Sequence, residues 1–252
     1  MEYGSWIVLK VSVIIPCYNS WDRLGELCEK IKTSLVSNCI VDDFEIIIID
    51  DGSENRPDNL IKDLQSTDVK VKGVFLKKNY GQQFATLAGL REASGDFIIT
   101  MDDDLSHNPS DFEELISMIV SESFDVIFGI PKNSRTGLLR KGGSGIRDMI
   151  FNVFFSKPNG IYVSSFRIIS RSLVEKIISD ISEYKYLSVE ILKHTHSIGN
   201  IRVEYKRNLK KSSRYGFIKL SLLAFSLISC SQIFPERIRK STIAAEMEFE
   251  II

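Results

Sequence analysis

Residues 99–109 read ITMDDDLSHNP, with three consecutive carboxylates, Asp102, Asp103 and Asp104, directly behind an apolar run. A strand leaving a core can end on Asn, Gly or Ser at far lower electrostatic cost, and a divalent cation would offset the repulsion. Asp102 and Asp104 flank Asp103, so in an extended strand end they point to one side, where two carboxylates can share a hard cation. Mg²⁺ or Mn²⁺ suits such a pair and keeps further positions for water and substrate phosphate. The alternative is a solvated acidic turn. Asp50 and Asp51 in IIIIDDGS form a second strand-end pair. One of them can accept from a nucleobase N–H or ribose hydroxyls, while the other caps the turn that Gly52 permits. Tyr18 and Asn19, in PCYNS, are placed to flank a base or ribose, with simple turn formation as the alternative for Asn19. His107 reads as a surface loop residue.

Placing these groups together requires elements that end on a common edge. VSVIIP (11–16), FEIIIID (44–50), VKGVFLK (71–77), DFIITM (96–101) and FDVIFG (124–129) read as strands. The second does not alternate, as expected of a strand buried on both faces. Between them lie helical stretches: 20–37 with Ser20 as a cap, the segment after DGSENRP, NYGQQFATLAGLREAS up to Gly95, and a helix opening on Pro109. This β-α-β-α order predicts an α/β fold with a mainly parallel sheet flanked by helices. Ligands of such sheets bind beyond the carboxyl ends of the strands, which collects CYNS, DDGS and MDDDLS on one edge. After residue 130 a Gly-, Ser- and Lys/Arg-rich loop (131–145) precedes a helix at RDMIFNVFF, a strand and helix in SSFRIISRSLVEKIIS, a helix at YLSVEILKHTHS and a strand at IRVEY.

The chain has 252 residues, enough to bury one full α/β core. A net charge of −1 with 26% charged residues gives no basic excess of the kind nucleic-acid binding needs. Cys17, Cys28, Cys39 and Cys230 are scattered, which fits neither a zinc site nor a disulfide framework and suits a reducing cytosol. The amino terminus lacks the basic start and cleavage site of a signal peptide. Basic residues concentrate late: Arg202, Lys206, Arg207, Lys210, Lys211, Arg214 and Lys219 stand against the single acid Glu204. Residues 217–234, FIKLSLLAFSLISCSQIF, are apolar but carry Lys219, Gln232 and four serines, marginal for a span of about 20 residues. A basic cluster followed by such a segment fits a helix lying in the membrane interface.

VSVIIPCYNS, IIIIDDGSE, the block from KKNYGQQFATLAGLREASGDFIITMDDDLSHNP to DFEELI, and VSSFRIISR together resemble the inverting family-two glycosyltransferases of GT-A fold. Within that family they are most similar to the polyprenyl-phosphate sugar transferases, of the dolichol-phosphate mannose synthase and undecaprenyl-phosphate type. The resemblance covers about residues 11–220. It implies a nucleoside diphosphate sugar donor, a polyprenyl phosphate acceptor and a place at the cytosolic face of a membrane. It makes Asp51 the base-recognising carboxylate, with Pro16, Tyr18 and Asn19 around the nucleotide. Asp102 and Asp104 become the DXD-type carboxylates on the cation and diphosphate, with Asp103 beside them. Arg140 with Ser144 matches an acceptor-phosphate grip, and Arg167 and Arg207 with Ser212 match further phosphate-binding positions. Glu190 aligns with a family acid, as a partner for an arginine or as a base.

Three departures stand out. Ser106 replaces a Gln found in many bacterial relatives, and Ser106-His107 resembles the dolichol-phosphate mannose synthase version. Gly129-Ile130-Pro131 lacks an arginine, which Arg135 could supply, and Lys210 replaces a glycine. The expected organisation is a GT-A domain over 1–215 with an interfacial helix and tail over 216–252, anchored by that helix or by a small membrane partner. Two rivals remain. One is an enzyme of the same fold acting on a glycan hydroxyl, which would need a base; the other is a non-catalytic nucleotide-binding subunit of a membrane complex.

Overall fold

The structure is a computed structural model that describes residues 9–56, 58–66, 70–132, 157–180, 186–206 and 249–251. Strands β1 (Leu9–Cys17), β2 (Val41–Asp50), β3 (Val71–Leu76), β4 (Phe97–Thr100) and β5 (Val126–Pro131) follow the five apolar runs of the sequence. Between them lie α1 (Leu24–Val36), α2 (Asp58–Ser66), α3 (Gln82–Glu92) and α4 (Phe112–Glu122), the last preceded by a 3₁₀ turn at Pro109–Asp111. Then come β6 (Arg167–Ser170), α5 (Arg171–Ser179), α6 (Leu187–His194), β7 (Ile198–Val203) and β8 (Phe249–Ile251). The 131–145 loop beyond Lys132, the helix at RDMIFNVFF and the apolar 217–234 segment lie outside the described residues.

One eight-stranded sheet has the order β7-β5-β6-β4-β1-β2-β3-β8. β1 pairs in parallel with β2 and β4, β2 with β3, and β5 with β7, so the sheet is mainly parallel as expected. β6 runs antiparallel to both β4 and β5 and separates them. Because it points the other way, its amino-terminal end sits at the carboxyl edge of the parallel strands: Arg167 stands opposite Thr100 and Phe128. β8 adds antiparallel to β3, with Val74 opposite Ile251, so Phe249–Ile251, within the stretch expected to be helix and tail, forms an edge strand.

Both faces of the sheet are covered, which is why β1 and β2 do not alternate in polarity. Val13 and Ile46, register partners, pack on one face against Leu24, Leu27 and Ile31 of α1 and Phe112 and Leu115 of α4. Their neighbours Ile14 and Ile47 pack on the other against Leu87 and Leu90 of α3, Leu173 of α5 and Val189 of α6. α3 has small or apolar residues nearly all round, and Ala85 to Leu90 are all buried. A Cβ on its Gly89 would stand 2.5 Å from Ile14 Cγ2 and 2.8 Å from Ile49 Cδ1, so this glycine lets the helix lie close on β1 and β2. Its amino terminus is thereby held at the sheet's carboxyl edge.

Two local readings need correction. Ser20 does not cap α1, whose N-cap is Arg23; the Ser20 hydroxyl instead donates to Asp103. His107 is no surface residue: it is 4% exposed, stacked on Phe166 at 4.7 Å between ring centroids, and bridged to Tyr205.

Candidate active site

A cavity of about 660 Å³ opens at the carboxyl edge of the sheet. Its wall contains Pro16, Tyr18 and Asn19 from the end of β1, Asp51 from the end of β2, and Asp102, Asp103 and Asp104 beyond β4. The edge rule thus gathers residues far apart in sequence. Asn19 adopts φ 50°, a conformation Asn tolerates, and ties the first two loops together. Its N–H donates to Ser53 Oγ at 2.9 Å and its Oδ1 accepts from Glu54 N at 3.2 Å. Tyr18 is nearly half exposed and lines the opening.

Asp51 is buried and accepts from Tyr80 N at 2.8 Å and Gly81 N at 2.9 Å. Its carboxylate therefore organises the loop leading into α3, where Gly81 takes φ 91° at the N-cap. Burial pushes the Asp51 pKa above the ordinary value of 3.8, Asp50 adds to the rise, and the two N–H donors oppose it. Gly52 is required next to it: φ is +69°, and a Cβ would lie 2.3 Å from the Lys78 carbonyl carbon.

Asp102 is held at both oxygens. Gln82 Nε2 donates to Oδ1 at 2.7 Å and Ser165 Oγ donates to Oδ2 at 3.1 Å. Ser165 is fixed in turn by its carbonyl, which accepts from Thr100 Oγ1 at 2.6 Å. Asp104 Oδ1 accepts from Ser106 N at 3.0 Å across Leu105, which has φ 57°. Ser106 Oγ and His107 Nδ1, both buried beside these carboxylates, have no hydrogen-bond partner among the described residues. Burial lowers the His107 pKa, while Asp102 and Asp104 act in the opposite direction.

The donor set is oxygen-only, and among the described residues no three His, Cys, Asp or Glu side chains cluster tightly enough to enclose an ion. Two carboxylates on an open cavity fit a cation that completes its shell with water and substrate phosphate, as Mg²⁺ does. They do not fit a closed protein cage.

Several positions were not visible as site residues in the sequence: Gln82, Gly81, Asn79, Arg23 and Ser20 in the wall, and Ser165 behind it. The only signal was position, since Gln82 follows the glycine that opens α3. Arg167 does not line the cavity. It is 4% exposed, donates from Nη1 to Ser188 Oγ at 2.9 Å and lies 5.5 Å from the Phe128 ring centroid. Glu190, also buried, is ion-paired with Lys193 at 3.1 Å rather than with an arginine. Arg140, Ser144, Arg207 and Ser212 lie outside the described residues. No described helix is long and apolar enough to cross a membrane.

The chain is 29% identical over 232 residues to the undecaprenyl-phosphate 4-deoxy-4-formamido-L-arabinose transferase of Salmonella choleraesuis (strain SC-B67), covering 92% of this chain and 70% of that one. The same identity and coverage hold for the transferase of that name from Salmonella typhimurium (strain LT2). Among solved structures, Mycobacterium tuberculosis glucosyl-3-phosphoglycerate synthase superposes with a TM-score of 0.62 at 15% identity, over 90% of this chain and 81% of that one. S. aureus TarS superposes at 0.57 and 19% identity, over 91% of this chain and 41% of TarS. At these identities the two structures speak to the fold alone, which is GT-A. The family model for glycosyl transferase family 2 matches residues 12–178, and the chain therefore belongs to that family, as a glycosyltransferase.

Proposed function

We propose that this enzyme transfers a sugar, with inversion, from a nucleoside diphosphate sugar to a polyprenyl phosphate at the cytosolic face of a membrane. The observation that carries the reading is the convergence of Asp51 and Asp102–Asp104 on one cavity, in a chain similar over 92% of its length to proteins named as undecaprenyl-phosphate sugar transferases. Asp51, with Pro16, Tyr18 and Asn19, takes the nucleoside end of the donor. Asp102 and Asp104 hold Mg²⁺ or Mn²⁺, with Asp103 beside them. A bound cation supplies positive charge against the departing nucleoside diphosphate. The M. tuberculosis neighbour has been crystallised with Mn²⁺ and UDP, which supports a divalent cation for the shared fold.

The acceptor class follows from proton bookkeeping. A sugar hydroxyl must lose a proton as it attacks, so a positioned base is needed. A phosphate monoester, with a second pKa of about 6, is largely ionised at neutral pH. Its oxygen forms the bond to the anomeric carbon as the bond to the nucleoside diphosphate breaks; charge is conserved and no proton moves. Glu190, the base candidate outside the DXD cluster, is paired with Lys193 and does not line the cavity. Asp102 is already held by Gln82 and Ser165. Both arrangements favour the ionised acceptor. Arg140 with Ser144 and Arg207 with Ser212 remain the proposed phosphate contacts, whereas the burial of Arg167 against Ser188 argues against that role for it; the segment 217–234 is the proposed interfacial anchor.

The test is transfer from radiolabelled UDP, GDP and dTDP sugars to short-chain polyprenyl phosphate, with Mn²⁺, Mg²⁺ or EDTA. The expected result is an acid-labile lipid product that needs metal and is lost in Asp104→Asn. Donor hydrolysis without lipid product would move the acceptor to a glycan. Nucleotide binding with neither reaction would make the chain a non-catalytic subunit.

A further inference from the structure

Beside Asp104, adjoining the larger cavity, lies a second, smaller one of about 200 Å³, against about 660 Å³ for the first. That is room for a phosphate group. Arg23 and Asp104 line both cavities, so the two adjoin. Three cations, Arg23, Lys30 and Lys206, face this smaller space. Lys30 is bonded to Glu26 at 2.6 Å, whereas Arg23 and Lys206 form no ion pair among the described residues. Their fields nevertheless converge: Glu26 is held below its ordinary pKa first by the Lys30 hydrogen bond and charge, with Arg23 and Lys206 adding to the effect.

Two further observations suit an anion. The 13-residue helix α1 begins here with Arg23 as N-cap and no side-chain cap bond, so its positive end is directed to this region. Lys206 is also set in place by backbone pairing: its N–H donates to Ser106 O at 2.9 Å, next to the His107–Tyr205 bridge. This cation is thereby tied to the same short segment that carries Asp104.

We infer that this side cavity is a phosphate-monoester subsite that receives the phosphate of the acceptor while the larger cavity holds the donor. Its assignment to the acceptor rests on the proposed function; binding of phosphate there does not. A site of this kind brings the second anion up to Asp104 in a space that shares Arg23 with the larger cavity.

Lys206 lines only the smaller cavity, which makes it the position to test. Inorganic phosphate binding to the full chain, followed by calorimetry, is expected to weaken at least tenfold in Lys206→Glu and to persist in Lys206→Arg. Binding of the donor nucleotide should change less than twofold in both, which also reports an intact fold. In the transfer assay, inorganic phosphate should raise the apparent KM for polyprenyl phosphate and leave that for the donor unchanged. Equal phosphate binding in wild type and Lys206→Glu, or phosphate that competes with nucleotide alone, overturns the subsite. Loss of phosphate binding in Lys206→Glu without any lipid product in wild type would keep the subsite and refute the lipid acceptor.

Discussion

Gln82 and Ser165 show how a carboxylate proposed to hold a metal is positioned by neutral neighbours. Each donates to a different oxygen of Asp102, fixing the carboxylate plane before any ligand arrives. Removing such an outer partner typically costs about 10- to 100-fold in metal affinity or activity. Gln82→Leu is accordingly expected to raise the Mn²⁺ concentration for half-maximal transfer by about 10-fold or more, with the melting temperature little changed; a metal titration checks it. Gly52 makes the opposite case, where backbone rather than chemistry sets the residue. Gly52→Ala must hold φ near +69° and place a methyl within 2.3 Å of Lys78, so it should cost more than the about 1–3 kcal/mol of backbone strain alone, measured by denaturant unfolding. At this scale the sequence was informative wherever a residue's role follows from its own type. Adjacent carboxylates after an apolar run carry their chemistry with them. Gln82, Ser165 and Arg23 do not, because a neutral donor gains its role only when folding brings the carboxylate to it.

Among the elements, α3 reaches the site and α6 lies behind it in the core. α3 lies on the sheet through Gly89, and its first residue, Gln82, reaches Asp102. Gly89→Val should wedge the helix away from Ile14 and Ile49, with an overpacking cost of about 1–3 kcal/mol and a weaker grip on nucleotide, read by unfolding and by nucleotide titration. On α6, burial raises the Glu190 pKa above its ordinary 4.5, while Lys193 opposes the rise. The folded state then binds this proton more tightly than the unfolded chain, so wild-type stability falls as pH rises from about 4.5 through the raised value. Glu190→Gln should remove that part of the slope, with the two proteins converging below the ordinary carboxylate pKa in pH-dependent unfolding. The five leading strands were legible because a strand covered on both faces must be apolar throughout. The direction of β6 was not, since FRIIS reads the same whichever neighbours it pairs with. The start of α1 was misplaced because Ser20, a good cap by type, is drawn to Asp103 instead.

Across the whole molecule, the site lies on a seam. The β1–β4 half carries Asp51 and the DXD-type motif, and within the sheet the β5–β7 half joins it through β6, just before which Ser165 touches Asp102. The proposed nucleoside contacts therefore lie in the first half of the chain, while Asp102 takes part of its support from the second. The seam also has a consequence for the order in which the protein is made. β4 emerges from the ribosome about seventy residues before its partner β6. At 5–20 residues per second the hydrogen-bonding edge of Phe97–Thr100 waits roughly 3.5–14 s unpaired, with the apolar side chains of Ile98 and Ile99 beside it. A nascent chain stalled near residue 150, long enough to free β4, should therefore recruit holdase chaperones, and one stalled beyond residue 210, long enough to free β6 and begin sealing that edge, should recruit fewer.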